Sequence, residues 1–512
     1  MKEFIEKHSG DVVGVLSGWD RVRFRGTIRM LAWVDGMGTY LNRAGVLLKD
    51  FGAFVDGKSS CLKKAVEARA AELGRPVIYV SSSHQCKEDL ALEIARKDGI
   101  KEGLVCVLTA VEPCMSFVIG KDPEKKKLVL KSALRKCLFL YGYLIDEAFG
   151  WLSVRIQSWY PFTVQVCVNG REWLGRQMDR AGIRYERRDN CFSWIEDPAK
   201  AQALMEGMQR INWPPELERI LGQVSPGHSA LTAEWPLPIY WSAQETEWAT
   251  DVMFKSTAAL EAIYPPLARG AIVSYGSGDV MRFLGRKLVG QFKGQVQSDF
   301  KRRPEGVRVK HRIGANSIKV YDKQGSVLRV ETTINDPHDF KTFRTKESDP
   351  GGPKDWRVVR RGVADLHRRA EVSQSSNERY LDALAALDTA KPLGEFLKPI
   401  CRPRIFKGHR NRGLRPWSEE DQALLEVINR GEFLTTGFRN RDLAAHLAGK
   451  DDDPRRTSGR ISRCLRMLRA HKLIRKIPKT HRYQMTPLGR RIASAVLQAQ
   501  VLTLQQISRA AA

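Results

Sequence analysis

The residues best suited to chemistry lie in the middle of the chain. Asn316-Ser317-Ile318-Lys319-Val320-Tyr321-Asp322-Lys323 and Val327-Leu328-Arg329-Val330-Glu331-Thr332-Thr333-Ile334-Asn335 are separated by a turn at Gln324-Gly325. Their strict alternation predicts two strands, with Lys319, Tyr321 and Lys323 on one face and Arg329 and Glu331 together on one face of the partner. A Glu and an Arg two residues apart beside Lys and Tyr suit a divalent metal, Mg2+ or Mn2+, and a phosphodiester. The same residues at a surface suit cross-strand ion pairs, and spacing alone favours that second reading. Upstream, Glu247 and Asp251 fall four apart where a helix is predicted; such carboxylates either share a metal or lie on a solvated helix face. No G-x-x-x-x-G-K-[ST] loop, G-x-S-x-G elbow or H-E-x-x-H helix occurs, which argues against the familiar P-loop, serine and zinc hydrolases.

The pattern Gly314-x-x-Ser317-x-Lys319-x-Tyr321-Asp322-Lys323, followed by Leu328-Arg329-Val330-Glu331, resembles the strand pair of rolling-circle replication initiators of plasmids and filamentous phages. The resemblance spans about 20 residues. It implies a nicking core in which Glu331 is a metal-site residue and Tyr321-Asp322-Lys323 is structural or touches DNA. The chain departs from that family in two places. It has no His-hydrophobe-His motif, and Arg312 stands where the plasmid proteins carry their nucleophilic tyrosine. Tyr275 and Tyr380 remain as candidate nucleophiles for an attack on phosphorus.

The charge of the chain is uneven. Its 85 Lys+Arg outnumber 58 Asp+Glu by 27, and after Asp453 there are 14 Lys+Arg and no acid at all. A one-signed field on so small a segment attracts a polyanion. A solubilising tail or a lipid-binding patch would lack apolar periodicity, and this segment has it. Ser418 caps a predicted helix with Glu419, Glu420 and Asp421 in its first turn, and a second helix fits Arg439 to Leu447. A third fits Ser458 to Lys472, with Ile461, Leu465 and Leu468 on one side and Arg460, Arg463, Arg466 and Arg469 around the other. Two short strands joined by a basic turn at Pro478 to His481 follow, and then a last helix from Thr486.

That order resembles the winged-helix DNA-binding domains. The phrases Leu465-Arg466-Met467-Leu468-Arg469-Ala470-His471-Lys472-Leu473-Ile474 and Tyr483-Gln484-Met485-Thr486-Pro487-Leu488-Gly489 are similar to that superfamily's recognition helix and wing-to-helix passage. The resemblance covers about 80 residues. It implies a third helix in a major groove, with Thr457, Ser458, Arg460, Ser462 and Arg463 near its leading end and Arg466 further along. Lys479, His481 and Arg482 would meet phosphate or the minor groove from the wing. Some winged helices bind RNA or protein, so those partners stay open.

Apolar runs at Val77–Val80, Leu104–Leu108 and Cys137–Tyr141, with a helical period from Glu88 to Lys97, give the front of the chain a mixed α/β pattern. Residues 152–170 read as a hairpin with Arg155, Gln157 and Gln165 opposite its Val/Ile face, either a support for nucleic acid or an ordinary solvated face. The expected organisation is α+β: a mixed α/β domain at 1–212, a β-rich core at 235–345 with flanking helices, a helical basic connector at 346–415, and a winged helix-turn-helix domain at 416–512. No stretch is apolar enough to cross a membrane and no signal peptide is visible, so a cytoplasmic location is expected. The nine scattered cysteines are expected to be reduced and mostly buried. Two roles follow. One is a protein binding double-stranded DNA for a mobile element or replicon, with possible metal-dependent nicking; the other is a regulator without enzymatic activity.

Overall fold

The computed structural model describes residues 1–81, 84–124, 126–285, 295–387, 393–429, 433, 437–449, 453–478 and 480–501. The chain is α+β and divides into two units. The larger comprises Val12–Lys255 and Ser326–Gln374; the other gathers Met1–Asp11, Ser256–Gly325 and Ser375–Ala512. This division differs from the four consecutive parts expected. The boundary anticipated near 212–235 holds the helix Trp213–Val224, whose Trp213, Leu217, Ile220, Leu221 and Val224 are buried. Pro214 and Pro215 fall in its first turn, where missing N–H groups cost nothing, so they start a helix rather than a linker.

The strands are, in chain order, β1 (Val12–Thr27), β2 (Val77–Tyr79), β3 (Gly103–Lys121), β4 (Leu128–Asp146), β5 (Gly150–Gln157), β6 (Val164–Asn169), β7 (Tyr185–Arg188), β8 (Cys191–Ile195), β9 (Tyr240–Phe254), β10 (Val296–Arg303), β11 (Gly306–Ile313), β12 (Asn316–Lys323), β13 (Val327–Ile334), β14 (Lys341–Arg344), β15 (Asp355–Val358), β16 (Arg404–Phe406), β17 (His409–Asn411), β18 (Ile474–Lys476) and β19 (Tyr483–Met485). Within the larger unit one sheet runs in the order β13, β9, β1, β6, β5, β4, β3, β2. Its pairs are antiparallel except β2 with β3, which are joined through the helix Lys87–Lys97 and run parallel. Even-numbered residues such as Val22, Phe24, Val154, Ile156, Val164 and Val166 enter the core beneath helices, Trp213–Val224 among them. Odd-numbered residues of β5, of β6 and of β1 from Arg21 onward face the other way, as the alternation of the hairpin at 152–170 predicts.

The segment expected to carry Glu247 and Asp251 on a helix is instead β9, paired with β1 on one side and β13 on the other. Its Tyr, Trp, Thr, Val and Phe residues fit a pleated surface, and the two carboxylates are buried because arginines meet them. The strand expected at Val327 to Asn335 runs Val327–Ile334 and is buried along its whole length, so Arg329 and Glu331 lie in the interior and not at a surface.

Arg329 stands directly across from Asp251 in the β9–β13 register. Its Nε donates to Asp251 Oδ1, its Nη2 to Asp251 Oδ2 at 2.9 Å and to the Asn190 carbonyl at 2.7 Å, and its Nη1 to Asp20 Oδ1 at 2.9 Å. Asp20 reaches this point because the register between β1 and β9 slips between Trp19 and Arg21, leaving Asp20 as the extra residue of a bulge. Arg171 adds an Nη2 bond to Asp251 Oδ2 at 2.9 Å from the first turn of the helix Gly170–Arg180, whose Asn169 cap accepts from Arg171 N at 2.8 Å. The helix starts so close to the bulge that a Cβ on Gly170 would lie 2.0 Å from the Trp19 carbonyl oxygen. Two aspartates and two arginines are thus held in the interior by one another.

In the other unit β10, β11 and β12 form an antiparallel set against the helix Thr257–Ser274, whose Tyr264 hydroxyl donates to the Val320 carbonyl at 3.2 Å. The same unit contains helices Glu419–Ile428, Asn440–Leu447 and Pro454–Ala470, the pair β18–β19 and the helix Pro487–Val501, in the order expected for this stretch. They enclose an apolar core with Leu424, Leu443, Ile461, Leu465, Leu468 and Ile474. The end of the expected connector, residues 400–415, folds onto that core: β16 pairs with β17, Leu414 is buried, and Arg412 Nη1 donates to the buried Asp421 at 2.6 Å. All nine cysteines are free; Cys106, Cys137 and Cys191 are buried, while Cys61, Cys86 and Cys401 are exposed.

Asp251→Ala should lower the stability of the larger unit by about 3–5 kcal/mol, because it strands two buried guanidinium groups. Denaturant unfolding followed by circular dichroism measures the loss.

Candidate nucleic-acid interface

The third helix of the C-terminal stretch begins earlier than its apolar period indicates. Asp453 accepts from Arg455 N at 3.2 Å and Arg456 N at 3.4 Å, and Pro454 occupies the first position, so the helix runs Pro454–Ala470. This brings Arg455 and Arg456 into its exposed leading turn, the side chain of Arg456 being 92% exposed. The signal was present in the Asp-Pro pair, a cap followed by a residue pre-set for helix.

The structure separates the expected contact residues by what they already hold. Arg463 and Arg466 are exposed on the side away from Ile461, Leu465 and Leu468. Ser458 and Ser462 are exposed too, but Asn440 of the preceding helix engages them, its Nδ2 donating to the Ser458 carbonyl at 2.9 Å and to Ser462 Oγ at 2.8 Å. Arg460 turns inward, donating from Nη2 to the Leu447 carbonyl at 2.7 Å and closing the end of the helix Asn440–Leu447. Arg469 lies 5.3 Å from the Phe406 ring and 5.9 Å from the Tyr483 ring. Thr457 is only 5% exposed, which takes it out of reach of a base. In the basic turn His481 is exposed and Arg482 Nη1 donates to the Gly437 carbonyl at 3.1 Å; Lys479 lies outside the described residues. An isolated bridge between Phe438 and Tyr483 adds a third short extended segment beside β18 and β19.

The central residues fall into different units. Lys319 and Lys323 belong to β12 in the smaller assembly of segments, Arg329 and Glu331 to β13 in the larger. Lys323 is buried, its Nζ 5.9 Å from the Tyr321 ring. Lys319 pairs across the ladder with Lys310, an arrangement that like charges disfavour. Burial, with Lys319 and Arg308 beside it, lowers the pKa of Lys310. Glu331 is 2% exposed, and among the described residues no group of three His, Cys, Asp or Glu is placed to hold a metal ion.

Neither candidate tyrosine is open to substrate. Tyr380 is fully buried and its hydroxyl lies 2.9 Å from His311 Nε2; Tyr275 is 6% exposed and its hydroxyl has no hydrogen-bond partner among the described residues. Burial raises the pKa of both phenols. His311 in turn meets Ser298 Oγ through Nδ1 at 2.7 Å, and burial, opposed in part by Asp299, lowers its pKa to about 4.

No protein-family model matches the chain, and the comparisons with curated proteins and with solved structures return no match. Among the described residues no helix is long and apolar enough to cross a membrane.

Arg460→Ala should cost the C-terminal stretch about 1 kcal/mol in thermal unfolding, whereas Arg463→Ala should leave stability unchanged. A second expectation concerns pH. An unfolded histidine takes a proton near pH 6.5, while the folded His311 refuses it until about pH 4. Stability therefore falls as pH drops through that window, and melting curves of His311→Gln should show a shallower fall than the unchanged protein.

Proposed function

We propose that this chain is a protein that binds double-stranded DNA, and that the stretch 416–501 is its reader, with the helix Pro454–Ala470 in a major groove. One observation carries the reading: that helix has a buried apolar side and an exposed cationic side made by Arg455, Arg456, Arg463 and Arg466. No carboxylate follows Asp453 in the sequence, and Asp453 Oδ2 itself lies 4.0 Å from Arg456 Nε. Four guanidinium groups at one surface repel each other unless an anion lies between them, and a phosphate backbone supplies such anions at regular spacing. The order of helices and strands, with the bridge from Phe438 to Tyr483, supports the winged-helix resemblance. Binding without cleavage is the better-supported role, since Tyr275 and Tyr380 are buried and Glu331 lies in the interior.

The test is fluorescence anisotropy of a labelled duplex with the full chain at several salt concentrations. An R463A/R466A double variant should bind more weakly and lose about 1.8 from the slope of log affinity against log salt, two phosphate contacts at roughly 0.9 each. Unchanged affinity and slope would remove the reading.

A further inference from the structure

The sheet of the larger unit carries a polar row on the face turned away from its core. The register aligns Tyr141 on β4, Arg155 on β5, Gln165 on β6, Arg25 on β1 and Ser242 on β9. Ser242 bridges to Gly362, and Ala243 N donates to the Arg361 carbonyl at 2.8 Å, so Arg361 continues the row. Most of the row is fixed in advance. Arg155 donates from Nη2 to Glu112 at 2.7 Å and from Nε to the Tyr141 hydroxyl at 2.9 Å, and lies 3.7 Å over the Phe139 ring. Gln165 donates from Nε2 to Gln244 at 2.9 Å.

Arg25 differs from its neighbours. It is exposed, and among the described residues it has no carboxylate partner. Desolvation lowers its pKa, and the charges of Arg361 and Arg155 lower it further. Arg361 Nη2 lies 3.5 Å from Asp336, which His338 also engages. Three guanidinium groups therefore converge with less negative charge than they need, and a phosphate complements them.

From Arg361 the chain leads back into β15, where Trp356 stands across from Phe343 of β14. The two rings lie 5.6 Å apart and are 61% and 57% exposed. Lys341 and Lys354 are exposed on the same hairpin; of its acids, Glu347 is held by Arg344 and Arg360, Asp355 accepts from Trp356 N at 2.7 Å, and Asp349 is exposed in the loop between the strands. Exposed aromatic faces beside cations match unpaired bases joined by phosphates. In a duplex the base faces are already stacked on one another.

We propose that this face and the β14–β15 hairpin bind single-stranded nucleic acid, with Arg25, Arg155 and Arg361 on phosphates and Phe343 and Trp356 stacked against bases. The site belongs to the unit without the C-terminal reader and does not rest on the duplex reading.

The experiment measures anisotropy of labelled oligo(dT) and oligo(U) with the full chain carrying R463A/R466A, so that the C-terminal surface contributes least. Adding R25A or W356A should weaken binding of a single strand about tenfold, whereas W356F, which keeps an aromatic face, should bind nearly as the parent does. Both altered side chains are exposed, and circular dichroism confirms that each variant is folded. Single-strand affinity unchanged by R25A and W356A overturns the proposal. So does single-strand binding that is already lost in the R463A/R466A parent. Binding to phosphatidylserine vesicles that R25A abolishes, with single-strand binding intact, overturns it in favour of a lipid surface. Duplex affinity of R25A and W356A in the otherwise unchanged chain tests the other reading separately.

Discussion

A guanidinium group cannot stay charged in a dry interior without acceptors, and Arg329 imposes that requirement on the whole of the larger unit. Meeting it takes two carboxylates and a carbonyl that arrive from three places in the chain: Asp251 across the ladder, Asp20 from a bulge, and Asn190 from the turn between β7 and β8. Arg171 then brings a second positive charge to Asp251. Because hydrogen bonds to a buried ion are demanding in direction as well as distance, one wrong residue of register among β1, β9 and β13 would leave charge unmet. The network is thus a condition on topology more than a source of net stability. The close contact of Gly170 with the Trp19 carbonyl belongs to the same condition, since it lets the helix bearing Arg171 begin where it must.

The arginines of this protein do two kinds of work, and their number alone does not distinguish them. Arg329, Arg171, Arg460 and Arg412 spend their donors inside the fold, on carboxylates and orphan carbonyls. Arg25, Arg463 and Arg466 keep theirs toward solvent. Five donors in a planar fork make arginine suitable for both tasks, which is why a count of positive charge gives the class of partner and not the address at which it binds.

This explains what could be read from the sequence. The body of the helix Pro454–Ala470 was legible because Ile461, Leu465 and Leu468 repeat with the helical period, and the hairpin of β5 and β6 because Val and Ile alternate cleanly with Arg and Gln. β9 was misread because Glu247 and Asp251 at a spacing of four look like a wet helix face, and nothing local reveals that Arg21 and Arg329 neutralise them. The same blindness affected the third helix. Arg460 and Arg463 are one turn apart and identical in type; only the position of the Leu447 carbonyl decides that one is a strut and the other is available. The cap at Asp453 was a local signal that the apolar period outweighed.

The smaller assembly draws on three separated stretches, Met1–Asp11, Ser256–Gly325 and Ser375–Ala512, while the larger is complete once residue 374 has been made. During synthesis the larger unit can therefore finish folding while the other still waits for its last stretch. Its earliest eleven residues meet the rest of their unit only after the ribosome has added several hundred more, an order of events that makes translation speed a variable in the yield of folded protein.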